Sequence, residues 1–176
     1  MKIYPFLIAC SLAITTYTIS NEAKAHWQFY KDKKSNFNDL NINWRDNIKY
    51  HSKRLKFDRN NKESLLGRAL ARGKVKNYRG ALKDINKLIK MDSKYNNVAI
   101  RFRAWFYEGL GNYSEAIEDY SSLIENNEFL KESYSYRGFM KDLLHDQKGA
   151  CSDWKIGGEL GNQNALSAFE NHCKRI

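Results

Sequence analysis

The feature that most constrains the fold of this chain is an internal repeat of 34 to 35 residues. Four six-residue segments align without gaps, their first residues lie 34, 35 and 34 positions apart, and they begin at Asn43, Asn77, Asn112 and Asp146. A second series keeps the same spacing, with an arginine followed by a small residue: Arg68-Ala69, Arg103-Ala104 and Arg137-Gly138. A period in the range of about 20 to 50 residues is typical of solenoids and other repeat arrays.

Each repeat is predicted to contain two helices. In the second half of a repeat the apolar residues recur every three to four positions, as on one face of a helix, for example at Ala81, Leu82, Ile85 and Leu88. We expect Gly73, Gly109 and Gly111 to interrupt the helices, and Asn77, Asn112 and Asp146 to cap the helices that follow. The 176 residues include only one proline, Pro5, which favours helices over a turn-rich β architecture. The predicted fold is an all-α solenoid of antiparallel helical hairpins.

These residues resemble the tetratricopeptide repeat (TPR). The family pattern combines a small residue in the first helix, a glycine-containing turn, a Tyr-x-x-Ala motif and a further aromatic residue. The second repeat supplies Ile100, Ala104, Tyr107, Gly111, Tyr113, Ala116 and Tyr120, and the third supplies Tyr134, Gly138, Ala150, Trp154 and Gly157. The first is weaker, with Leu65, Ala69, Tyr78, Ala81 and Ile85. The sequence departs from the pattern where the three arginines replace leucine and where the terminal proline is missing.

The resemblance divides the chain and implies a function. It gives a degenerate half-repeat at 43–60, three repeats at 62–96, 97–130 and 131–164, and a capping helix at 165–176. The resemblance implies a non-catalytic protein–protein interaction module or assembly adaptor that binds a peptide or protein segment in a concave groove. The matching groove positions, with two neighbouring rings, are Leu66, Leu70, Arg101, Phe102, Trp105, Ser135, Tyr136 and Phe139. The alternative is that these rings pack against neighbouring helices.

The first 25 residues are predicted to be a signal peptide. Lys2 precedes a mostly apolar run, and the triplet Ala23-Lys24-Ala25 resembles a cleavage site. Cleavage before His26 would leave an exported protein, periplasmic, secreted or lumenal. Two alternatives are an uncleaved N-terminal membrane anchor and a lipoprotein lipidated at Cys10. Residues 26–42 show no convincing pattern and are predicted to be poorly ordered.

The net charge of +10 is unevenly distributed. Residues 45–103 hold 18 basic and 5 acidic groups, whereas 104–176 hold 7 and 12. A basic face is predicted along the first repeat, formed by Lys74, Lys76, Arg79, Lys83, Lys87, Lys90 and Lys94. The alternative function is therefore electrostatic binding to an anionic surface, such as lipid head groups, cell-wall polymer or an acidic protein. Nucleic acid is a poorer candidate partner, because the chain is predicted to be exported. The other interpretation is that these charges form a solvated face without a binding role.

Two sets of pairs are predicted to stabilise the array. A constant separation of 16 residues links Arg68 with Asp84, Arg103 with Asp119 and Arg137 with Asp153, joining the two helices of each repeat. We interpret these arginines as structural rather than as ligand contacts. Cys151 and Cys173 lie 22 residues apart and would be a disulfide candidate in an oxidising compartment, with two free thiols as the alternative.

The sequence offers no recognisable catalytic motif. It lacks the glycine-rich phosphate loops, H-E-x-x-H and G-x-S-x-G. The four histidines, His26, His51, His145 and His172, are far apart along the chain. We therefore expect neither an enzyme nor a cofactor nor a metal site.

Overall fold

The computed structural model describes residues 43–91 and 96–173, and these residues form eight helices without a strand. In chain order the helices are α1 Trp44–Phe57, α2 Lys62–Lys74, α3 Tyr78–Met91, α4 Asn96–Leu110, α5 Tyr113–Glu125, α6 Leu130–Leu143, α7 Gln147–Glu159 and α8 Gln163–His172. The prediction of an all-α solenoid is confirmed. The predicted signal peptide and the segment 26–42 lie outside the described residues.

Each helix packs mainly against its neighbours in sequence, which is the topology of a repeat array. The pairs α2–α3, α4–α5 and α6–α7 are helical hairpins within the three repeats, α1 packs on α2, and α8 packs on α7. Smaller contacts join α2 with α4 and α6 with α8, so the first helices form one layer and the second helices the other. None of the described helices is both long and apolar enough to cross a membrane.

The turn inside each repeat is built the same way. Its left-handed residues are Lys76, Gly111 and His145, with φ of 61°, 77° and 63°. Only one of these is a glycine, and the predicted breakers Gly73 and Gly109 instead lie inside α2 and α4. The reason is packing: a Cβ on Gly73 would come within 2.5 Å of the Phe106 ring.

Capping follows the predicted residues only in part. The side chain of Asn77 accepts a hydrogen bond from the backbone N–H of Gly80 at 3.0 Å, and that of Asp146 accepts one from Gly149 at 2.9 Å. The Asn112 side chain makes no such cap and instead donates to Glu115 Oε1 at 3.2 Å. Two of the three predicted caps are therefore present.

The small residue of each first helix lies where a neighbouring helix approaches closely. Ala69 and Ala104 are completely buried. At Gly138, a Cβ would come within 2.6 Å of the indole ring of Trp154. The largest buried side chains, Trp154 and Phe106, thus fill the space that small residues leave.

Candidate functional site

The eight predicted groove residues fall on the first helices α2, α4 and α6, but half of them are buried. At most 9% of the surface of each of these four is exposed: Leu66, Arg101, Phe102 and Ser135. Leu66 and Phe102 belong to the apolar core shared by helices α1 to α4. Their assignment to an open groove must be corrected, because they offer almost no surface to a ligand.

Trp105, Tyr136, Phe139 and Leu70 remain partly exposed on the same helices. The Trp105 ring lies 5.1 Å from the ring of Phe106 and 6.3 Å, edge on, from that of Tyr78. The Lys74 ammonium lies 5.5 Å from the centroid of Trp105 and 6.0 Å from that of Trp44. A cation is attracted electrostatically to the faces of the two indole rings. Lys74 therefore belongs to an aromatic cluster with Trp44 and Trp105.

Tyr136 belongs to a second cluster, between α4, α5 and α6. Its ring stacks on Tyr120 with centroids 5.6 Å apart, and the Tyr120 hydroxyl donates a short hydrogen bond to Glu108. Burial and the Glu108 carboxylate hold the pKa of Tyr120 well above its ordinary value, so the hydroxyl stays a donor. The Arg101 guanidinium lies 4.6 Å from the Phe129 centroid, and burial lowers the pKa of Arg101.

Phe139 lies further along the same layer, against the C-terminal part of the array. Its ring centroid is 5.2 Å from that of Trp154. Phe139 contacts the cores on both sides of it, the one shared by α4, α5 and α6 and the one formed by α7 and α8. The partly exposed rings thus pack against neighbouring helices and also keep some surface in contact with solvent. Packing in the core and an open face for a ligand, the two interpretations that the sequence allows, are therefore compatible.

Each predicted Arg–Asp pair is present as a bidentate ion pair. Arg68 donates to Asp84 at 2.7 and 2.8 Å, and Arg137 donates to Asp153 at 2.8 Å from two nitrogens. Arg103 binds Asp119 at 2.6 and 2.9 Å. These hydrogen bonds raise the pKa of Arg103 and of Arg137 above the ordinary value. Because the carboxylates are buried, removal of one partner would leave an uncompensated charge.

Each of these arginines also reaches the preceding repeat, which sequence reasoning missed. In each arginine, the guanidinium nitrogen that does not bind the aspartate donates a hydrogen bond to this repeat. Arg68 donates to Ser52 Oγ at 3.3 Å, Arg103 to Asn86 Oδ1 at 3.4 Å, and Arg137 to Ser121 Oγ at 3.0 Å. The acceptors are 34 and 35 residues apart, so the repeat period itself was the signal. One arginine therefore links three helices.

A second cation joins the aspartate in the outer repeats. Arg72 binds Asp84 Oδ2 at 2.7 Å, and Lys141 binds Asp153 Oδ2 at 2.8 Å. The equivalent residue in the middle repeat is Tyr107, which carries no such charge. The clusters around Asp84 and Asp153 therefore each have a net charge of +1.

Most of the described residues of the predicted basic face are exposed. Lys74, Lys76, Arg79, Lys83 and Lys90 are exposed, Lys74 also belongs to the aromatic cluster, and Lys94 lies outside the described residues. Lys87 donates to the backbone carbonyl of Arg59 at 2.6 Å.

The cap is tied to the last repeat by a disulfide. The Sγ atoms of Cys151 and Cys173 are 1.95 Å apart and the Cα atoms 5.7 Å apart. Cys151 lies on α7 and Cys173 directly after α8. The predicted pairing is therefore present, and it closes a loop that contains the turn between these helices.

His51 occupies an unusual position among the described histidines. A Cβ on Gly67 would overlap its imidazole ring, so α1 and α2 approach closely there. Burial, and then the charges of Arg54 and Arg68, lower the pKa of His51 to about 4. The ring is neutral at pH 7. Among residues 43–91 and 96–173, no three His, Cys, Asp or Glu side chains are grouped so that they could hold a metal ion.

Comparison with known proteins supports the fold but assigns no family. No family model matches the sequence, and no curated protein matches it. The crystal structure of MamA is similar, with a TM-score of 0.58 and 16% sequence identity, over 73% of this chain and 85% of that one. At this identity the likeness concerns architecture alone. The chain has a TPR-like helical-repeat fold, similar to that of MamA.

Proposed function

We propose that this protein is an exported, non-catalytic TPR protein that binds a peptide or protein segment on the layer of first helices. The observation that carries the proposal is a set of partly exposed rings at repeat-related positions on that layer. Trp105 and Phe139 lie one repeat apart on α4 and α6, and Tyr136 lies one turn before Phe139. Large rings provide contact area at a low cost in side-chain entropy, as binding surfaces require.

The chemistry around these rings favours a mostly apolar segment with few charges. The Lys74 ammonium is already held between Trp44 and Trp105, so a second cation there would meet repulsion. Arg101 and Glu132 lie near the Tyr120–Tyr136 stack and supply charges of both signs. A segment that places aliphatic or aromatic residues against Trp105 and Phe139 would fit best.

A peptide-display selection against the protein tests this function. Enriched peptides should bind in solution, and Trp105→Ala or Phe139→Ala should weaken them at least tenfold, since residues of this kind contribute about 2 kcal/mol or more to interfaces. Phe57→Ala is the matched control, because Phe57 is an aromatic residue that is 85% exposed on α1. Failure to enrich any peptide, or equal binding by all variants, would contradict the proposal.

Export is tested separately. The apolar run after Lys2 and the Ala23-Lys24-Ala25 triplet support cleavage before His26. The full chain with a C-terminal tag should be recovered from the exported fraction with His26 as its first residue. Recovery with Met1 or with a lipidated Cys10 at the N-terminus would contradict this cleavage.

A further inference from the structure

In the first repeat, α1 and α3 both pack against α2. A cavity of about 280 Å³ lies between these three helices. Leu55 and Leu65, both at least 93% buried, form part of its wall. Small-molecule pockets usually enclose about 300 to 1,000 Å³, so this cavity suits a small group rather than a whole coenzyme.

The floor of the cavity carries a net positive charge. Arg68 and Asp84 both line it. Asp84 is bound by two guanidinium groups, from Arg68 at 2.7 Å and from Arg72 at 2.7 Å. The single carboxylate is therefore more than neutralised and has no charge left to offset the other cations of the cavity.

Three more cations form the rim of the cavity, namely Lys56, Arg59 and Lys87. Lys87 donates to the carbonyl of Arg59 at 2.6 Å, which fixes the loop between α1 and α2 against α3. Within the described part of the chain, no carboxylate forms an ion pair with any of the three. The rim thus brings three cations to one opening without an acidic partner.

The same place in the third repeat shows that the fold does not require these cations. There α5 and α7 flank α6, and Arg137, Asp153 and Lys141 repeat the charge cluster of the floor. The residues two repeats after Lys56, Arg59 and Lys87 are Glu125, Glu128 and Ile156. The array therefore tolerates either sign of charge at the rim, and the cationic rim is a property of the first repeat.

We propose that this cavity binds a phosphate group. A phosphate monoester is doubly charged near pH 7 and offers three acceptor oxygens, which matches the number of cations at the rim. Lysine and arginine bind phosphate groups in proteins through charge-assisted hydrogen bonds, and these cations meet at one opening beside the apolar side chains of Leu55 and Leu65. This site lies apart from the rings of the proposed peptide surface and adds a second ligand to it.

A titration with inorganic phosphate, followed by amide chemical shifts at constant ionic strength, tests the site. We expect saturable shifts at the cavity residues, and Lys56→Gln/Arg59→Gln should weaken binding at least tenfold. Both side chains are exposed, so the fold should be retained. Arg45→Gln/Lys53→Gln removes the same charge from exposed positions on α1 that do not line the cavity, and it should leave the affinity within twofold.

Vesicles distinguish a lipid phosphate from a soluble one. Two kinds of phosphatidylcholine vesicle are compared at equal charge, one containing phosphatidate, a phosphate monoester, and the other an anionic phosphate diester lipid. If a lipid carries the phosphate group, the protein should bind the phosphatidate vesicles more tightly. Lys56→Gln/Arg59→Gln should abolish this difference. If the group is soluble, inorganic phosphate should bind without such a preference among vesicles. Phosphate shifts spread evenly over the basic residues, or equal losses in the two double variants, would overturn the proposal.

Discussion

The first and third repeats bind their buried aspartate in the same way but differ in what surrounds it. In both, an arginine and a second cation hold the carboxylate at 2.7 to 2.8 Å. Lys56 and Arg59 line a cavity with the first cluster, and the residues two repeats later in the sequence are Glu125 and Glu128. The third repeat is also closed by α8 and a disulfide. The comparison shows that the buried ion pairs recur with the repeat period, whereas the charged residues around them differ from one repeat to the next.

The largest effect is expected from removing the shared aspartate. Asp153→Ala and Asp84→Ala should each lower the free energy of unfolding by about 3 to 5 kcal/mol, because two cations lose their partner in a mostly buried site. Urea denaturation measures both, with Glu118→Ala, at an exposed residue, as a control expected within about 0.5 kcal/mol. Unequal losses in the two repeats would show that the different rims do influence the buried clusters.

The next largest effect is expected from the disulfide, which joins the third repeat to the capping helix. Cys151→Ser/Cys173→Ser should lower stability by about 3 kcal/mol, from the loop-closure entropy of the 22-residue separation. Chemical reduction of the wild-type protein should have the same effect on thermal unfolding, and the double variant should not respond to the reductant. A wild-type protein that is insensitive to the reductant would contradict a stabilising role.

A smaller effect is expected at the close approach between helices in the third repeat. Gly138→Ala should cost about 1 to 3 kcal/mol, because its Cβ would lie 2.6 Å from the Trp154 ring. The equivalent residues Ala69 and Ala104 already carry a Cβ, and Ala104→Gly should cost about 0.5 to 1 kcal/mol, mainly from chain entropy. Urea denaturation compares the two variants. A stabilising Gly138→Ala would mean that Trp154 moves aside readily.

The smallest effect is a pH dependence of stability that His51 gives to the first repeat. The pKa of His51 is about 4 in the folded protein and about 6.5 when unfolded, so the unfolded state binds more protons between these values. Stability should therefore fall as pH decreases from 6.5 towards 4, by about 1 to 2 kcal/mol because solvent reaches part of the ring. His51→Gln should remove this part of the pH profile, and an unchanged profile would contradict the assignment.

The repeat period predicted much of this structure, and its limits are physical. A spacing of 16 residues between Arg68 and Asp84 is enough to place both on facing helices. Burial depends instead on how closely the helices approach, so the sequence misplaced Phe102 and Ser135 on an open surface. Gly73 was misread as a breaker because the rings that require it, Trp105 and Phe106, come from the next repeat.

Other contacts could not be predicted, because their signal in the sequence is weak or absent. Ser52, Asn86 and Ser121 keep the period, but serine and asparagine are common on helix surfaces and nothing else singles them out. The cation between Trp44 and Trp105 has no periodic signal, because Lys74 meets rings from two different elements. Such contacts depend on where side chains end rather than on where residues recur.

The arginines that span three helices also determine how the array unfolds. In a simple array each repeat contributes its own stability, and neighbouring repeats are coupled only through their interface. Here, if α5 unfolds, Arg103 loses Asp119 within the same repeat and Arg137 loses Ser121 in the next one, so the loss spreads beyond the repeat that unfolds. Partly unfolded arrays are therefore penalised, and the three repeats should melt in one cooperative transition rather than one after another.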